Sequence, residues 1–160
     1  MSSIKLQVGI FVATMTGLAD ICAEEIETAL GRAGITCTRT LMDGLTATAF
    51  ASYDLIIIVS STYGHGEIPD NGQALFDSLS RADLSARQFA VFGLGDMTYA
   101  STFCAAGENW DHLLASNGAT RLVELMRHDA SSGTLAEDVA GEWASQTLVP
   151  QLLEVVAVKQ

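Results

Sequence analysis

Two hydrophobic periods alternate along the chain. Asp54-Leu55-Ile56-Ile57-Ile58-Val59-Ser60 and Phe89-Ala90-Val91-Phe92-Gly93-Leu94 are apolar runs of strand length, the pattern of strands buried on both faces. Between such runs the period changes: Leu18, Ile21, Cys22, Ile26, Ala29 and Leu30 recur at helical spacing and stop near Gly31 and Gly34. A first strand is expected over about Ile4 to Ala13. Ile35 to Leu41 is polar at alternate positions, as an edge strand is, and Thr120 to Arg127, of mixed polarity, reads as the opposite edge. Helices are expected near Asn71 to Leu79 and from Phe103 to Ser116, the second closed by Asn117-Gly118. Thr134-Leu135-Ala136-Glu137 has the form of a capping box for a last helix bearing Leu135, Val139 and Trp143, which Pro150 should kink or end.

Five strands alternating with about five helices predict an α/β fold, a doubly wound, five-stranded parallel sheet in a three-layer sandwich. Its simplest strand order is 2-1-3-4-5. The 160 residues contain no linker or repeat and are expected to form one domain over residues 1–160, which buries roughly 70% of its unfolded surface.

Three short runs follow the apolar stretches directly. They are Thr14-Met15-Thr16-Gly17-Leu18-Ala19, Ser61-Thr62-Tyr63-Gly64-His65-Gly66 and Gly93-Leu94-Gly95-Asp96-Met97-Thr98-Tyr99. In the predicted strand order all three leave the sheet beside the point where the winding reverses, so they converge on one crevice. The first run supplies hydroxyls and a glycine at a helix start, the residue types that cradle a phosphate with backbone amides. No Lys or Arg lies between Lys5 and Arg32, so the lysine of a P-loop nucleotide hydrolase is missing. The other two runs each carry a tyrosine, Tyr63 and Tyr99, able to grip a flat ring from opposite faces. Together they have the layout of a flavin mononucleotide (FMN) site.

Within that site Gly64 is a candidate to turn its carbonyl toward the flavin N5 when that atom gains a proton with the first electron. His65 also reads as an ordinary exposed loop histidine. Asp96 is placed either to accept from a ring or ribityl donor or to stabilise its own turn. None of the three runs holds a basic residue, and none occurs between Arg87 and Arg121, so the anionic, fully reduced ring should be disfavoured.

The formal net charge of −11 argues against nucleic-acid binding, so no nucleic-acid partner is expected, and it points either to a basic partner or to plain solubility. Cys22, Cys37 and Cys104 are odd in number and widely spaced, as in a reducing cytoplasm. The Met1-Ser2-Ser3 start has no signal-peptide pattern and no apolar run approaches the roughly 20 residues of a membrane span, so a cytoplasmic location without membrane contact is expected.

Nearly the whole chain resembles the flavodoxin family, and within it the short proteins of the MioC type. It is also similar to the flavin domains of sulfite reductase flavoprotein and cytochrome P450 reductase. The resemblance rests on Thr14-Met15-Thr16-Gly17, on Ser61 through Asn71, on Phe92-Gly93-Leu94-Gly95-Asp96 with Tyr99 and Phe103-Cys104, and on Leu135-Ala136-Glu137-Asp138 before Trp143. It implies FMN as cofactor, Thr14 to Ala19 on the phosphate, Tyr63 and Tyr99 stacked on the ring, and Asp129 near the ribityl chain. It further implies a ferredoxin or flavodoxin NADP reductase as electron donor and an acceptor such as biotin synthase, with the chain acting as a monomer. An FMN-dependent NAD(P)H:quinone oxidoreductase of the same fold is the competing expectation, and a signalling receiver domain is disfavoured because Thr14 and Met15 stand where its acidic cluster would be. Leu18 departs from the family pattern, in which Thr or Asn usually follows the Thr-Gly pair. Loss of one donor at a partly buried phosphate costs about 1 to 3 kcal/mol, so weaker FMN binding is expected.

Overall fold

A computed structural model describes residues 6–159. The residues expected to open the first strand, Ile4 and Lys5, and the Met1-Ser2-Ser3 start lie outside the described residues. Six strands, β1 (Val8–Ala13), β2 (Cys37–Leu41), β3 (Leu55–Ser60), β4 (Gln88–Gly95), β5 (Thr120–Arg121) and β6 (Met126–Asp129), alternate with five α-helices. The helices are α1 (Leu18–Arg32), α2 (Asp70–Ser78), α3 (Ala105–Ser116), α4 (Ala136–Trp143) and α5 (Val149–Lys159). The sheet is parallel in the order β2-β1-β3-β4-β5, as the apolar pattern predicts, with β6 also paired to β4.

The two core layers follow from the strand period of two. Ile10, Val12, Ile57, Val59 and Phe92 meet α1, α4 and the turn after it on one face, while Phe11, Ile56, Ile58 and Val91 meet α2 and α3 on the other. β1 and β3 are buried along their whole length, and burial of each large aliphatic side chain contributes about 1.5–3 kcal/mol. β2 is the half-exposed edge. It starts at Cys37 because the Ile35 amide is spent closing α1, donating to the Leu30 carbonyl at 2.9 Å across Gly34 in its left-handed conformation. No helix of the described residues is long and apolar enough to cross a membrane.

Three expectations need correction. The fifth strand is broken: Arg121 pairs Phe89 and Met126 pairs Phe92, so residues 122–125 stand opposite only Ala90 and Val91. The surplus residues turn Val123 into one core layer and Leu125 against the other, a burial that a regular ladder would forgo. The capping box is absent. Leu135 caps α4 without a side-chain bond and is itself exposed, while the Thr134 hydroxyl pairs with His128 Nε2 at 3.0 Å and Ser132 Oγ at 2.7 Å. Pro150 does not end the helix either. One π-helical turn, Ala144–Leu148, widens the spiral just before it, and the wider turn makes room for a ring that cannot donate.

Candidate functional site

The register brings the three runs to one level. Ala13 pairs Ser60 and Ser60 pairs Gly93, so the chain leaves β1, β3 and β4 side by side where the order reverses. The Ser61 amide donates to the Ala13 carbonyl at 3.0 Å, tying the first two exits together. Above them lies a crevice of about 370 Å³. Its walls are Met15, Thr16 and Leu18 of the first run, Ser61, Thr62, Tyr63 and Gly64 of the second, and Leu94, Gly95, Asp96 and Tyr99 of the third, with Thr102 and Ala130. No Lys, Arg or His lines it. A concavity of about 730 Å³ lies at the sheet's other edge, between residues 121–126 and the π-helical turn, but none of the three runs reaches it.

The first run is held from within. Gly17, at φ +95°, sits just before α1, and its amide donates to Thr14 Oγ1 at 2.9 Å. The Thr14 amide donates to Asn71 Oδ1 at 2.9 Å. The amides of Met15, Thr16, Leu18, Ala19 and Asp20 make no hydrogen bond among the described residues, so they form the free donor cluster of a helix start. A Cβ added at Gly17 would meet nothing within 4 Å, so the space over the loop is open to a ligand. The side chain of Ala19 is buried under α1, leaving only its amide for such a ligand.

The ring side is built differently. Tyr63 and Tyr99 are 45% and 68% exposed, large aromatic faces left without a cover, and Met15 and Leu18 add apolar surface nearby. Tyr63 opens a tight turn in which its amide donates to the Glu67 carbonyl at 2.8 Å, with Gly64 at φ +55° and Gly66 at φ +94° inside it. His65, in this turn, is exposed and does not line the crevice. Thr62 Oγ1 accepts from the Ala106 amide at 3.3 Å, which moors the second run to α3. Asp96 Oδ1 accepts from the Thr98 amide at 2.8 Å, so the turn-stabilising role is the one observed.

Below this surface the third run is packed backbone to backbone. A Cβ at Gly95 would lie 2.5 Å from the Cys104 nitrogen, and one at Gly107 3.0 Å from the Gly93 Cα. Cys104 is fully buried, in a left-handed conformation at φ +52°, and its thiol donates to the Gly93 and His128 carbonyls at 3.6 Å. Burial pushes that thiol up to about 12, so it is an inert structural group under the third run. Phe103 is half-buried beside it, and neither lines the crevice. The Cys22 thiol is likewise raised to about 12 and that of Cys37 to about 11, chiefly by burial.

Two residues do more than the sequence indicated. Asp129 Oδ1 accepts from the Met97 amide and from the Ser131 amide, both at 2.9 Å, and so binds the third run to the turn carrying Ala130. Those amides hold its carboxyl below the ordinary carboxylate value. Asn71 grips the phosphate loop from α2. Only its distance along the chain from Thr14 hides that role.

The donor set fits a phosphate monoester and the tyrosines fit a planar ring, the two ends of FMN. A family profile described as Flavodoxin matches residues 10–143. The chain is 31% identical over 140 residues to the MioC homolog of Haemophilus influenzae, covering 86% of this chain and 94% of that protein. It is 34% identical over 145 residues to the inducible nitric oxide synthase of Mus musculus, covering 89% of this chain but spanning only 12% of that much longer protein. Among solved structures, the oxidised Flavodoxin 2 from Bacillus cereus superposes with a TM-score of 0.80 at 27% identity, covering 93% of this chain and 99% of the other.

Proposed function

Because the chain belongs to the flavodoxin family, whose cofactor is FMN, we propose that it is a one-electron carrier loaded by a ferredoxin or flavodoxin NADP reductase and unloaded by an acceptor of the biotin synthase kind. One observation carries this reading: loops from β1, β3 and β4 meet at a single crevice with free amides at one end, two uncovered tyrosines at the other and no cation between. The bound FMN supplies a ring that takes up and returns electrons singly. The unpaired amides of Met15, Thr16, Leu18, Ala19 and Asp20 would hold its phosphate, and Tyr63 and Tyr99 would cover the ring and exclude water from it. Gly64, already at a positive φ, could turn its carbonyl toward the edge of a bound flavin at little steric cost. With no Lys or Arg in the lining and Asp96 in the wall, the residues present would disfavour negative charge on a bound flavin and so favour a strong electron donor.

The free thiols suit work in the reducing cytoplasm, and a net charge of −11 suits steering toward basic partner surfaces by a monomer. The test is the absorption spectrum of the purified protein with and without added FMN, followed by dithionite titration and reductase-coupled turnover. The expected result is a yellow protein reduced in two separable one-electron steps, passing electrons only when a reductase is present. Its transfer rates should fall as salt rises. Failure to bind FMN would overturn the reading, and steady NAD(P)H turnover by the protein alone would assign a quinone reductase instead.

A further inference from the structure

We propose that Asn71 is the positioning residue of the phosphate loop, and that it sets this chain's preference for a phosphorylated flavin over the free riboflavin. The inference rests on the FMN reading above and concerns a side chain outside the crevice. Asn71 is the second residue of α2, but its amide group points away from its own helix and caps nothing there. Its Oδ1 accepts from the Thr14 amide at 2.9 Å, and its Nδ2 donates to the Val12 carbonyl at 3.3 Å and to Asp43 Oδ2 at 3.2 Å. These partners fix which way the amide faces: turned over, it would set an oxygen against two oxygens and an N–H against an N–H.

The consequence is a sorting of donors. Asn71 pulls the Thr14 amide inward, and the Thr14 hydroxyl in turn takes the Gly17 amide. Two loop amides are thereby committed, and those of Met15, Thr16, Leu18, Ala19 and Asp20 are the ones left without a partner among the described residues. Where a phosphate site has a lysine, some misplacement of amides is compensated by charge. Here none lines the crevice, so neutral donors, chiefly these amides with the Thr16 hydroxyl, must hold the dianion. Asn71 is not among the residues that line the crevice and sits in a separate concavity of about 430 Å³ that it shares with Thr14, Met15, Asp43 and Asp70. It therefore touches no ligand and acts through Thr14. Asp43, as acceptor for Nδ2, keeps the clamp seated.

The test compares apo-protein affinities for FMN and for riboflavin, by flavin fluorescence quenching, in the wild type, Asn71→Ala, Asn71→Asp and Asp43→Asn. Urea unfolding monitors the fold, and the exposed α2 residue Gln73, as Gln73→Ala, serves as control. Asn71→Ala should weaken FMN about tenfold while riboflavin changes less than about twofold. Asn71→Asp should lose more, because its carboxylate faces Asp43, the Val12 carbonyl and the ligand's own charge. If the Asn71 variants do not fold, Asp43→Asn carries the test, with a loss of about threefold confined to FMN. Equal weakening of both flavins, or no change in their ratio, overturns the inference while leaving the FMN reading intact. A wild type that binds neither flavin overturns both.

Discussion

The two ends of the crevice solve the problem of holding a ligand by different means. The phosphate end is backbone, with its donors sorted by Thr14 and Asn71 and almost no side chain aimed at the ligand. The ring end is side chain, with Tyr63 on a turn whose Gly64 and Gly66 stand at positive φ and Tyr99 on a run packed against the start of α3. A charged, compact group rewards donors fixed before it arrives, since each unsatisfied contact is expensive. A large planar group gains mostly by area, which tolerates small shifts and can follow the ring as its protonation changes. Hence the two ends should respond independently to substitution, and riboflavin, which lacks the phosphate, separates them.

The sharpest way to break the ring end alone is Gly95→Ala. Its methyl group would stand 2.5 Å from the Cys104 backbone nitrogen, so the third run must move off α3. A stability loss of about 3 kcal/mol in urea unfolding is expected, with FMN and riboflavin weakened alike. Tyr99→Ala, at an exposed site, should leave stability unchanged and cost about 1.5 kcal/mol, roughly tenfold, for both flavins. Leu18→Asn works at the other end. An added amide donor in the first turn of α1 should tighten FMN by about 1 kcal/mol and give riboflavin no gain, as titration of the apo-protein with each would measure.

A pH-dependent effect concerns the thiol beneath the third run. The unfolded Cys104 ionises near its ordinary value of 9.0, whereas the folded one holds its proton to about 12. The unfolded chain therefore releases a proton that the folded chain keeps, so stability is full below pH 9 and falls as pH rises from there toward 12. Urea midpoints between about pH 8 and about pH 10.5 should decline less in Cys104→Ala than in the wild type, and iodoacetamide at about pH 8 should spare Cys104 until the protein unfolds.

How much of this could be read from residues alone varied with the kind of pattern. β3 and β4 were legible because burial on both faces leaves an unbroken apolar run, and the three loops because each follows such a run directly. The break between β5 and β6 was not, since Leu122, Val123 and Leu125 satisfy strand and turn equally, and only pairing with Ala90 and Val91 reveals two residues too many. Thr134 failed as a cap because His128, brought near by the sheet, competed for its hydroxyl. Asn71 belonged to a recognisable motif, but its bond to Thr14 spans 57 residues, and no local signal encodes such a partner.

The interrupted fifth strand also bears on how copies of the chain meet one another. A straight outer strand presents a regular row of amides and carbonyls that a neighbour can extend. Here that margin consists of a two-residue piece, a jog and a four-residue piece, so no long row is offered. Crowded copies, each already carrying eleven surplus negative charges, thus find no template there for fibre growth.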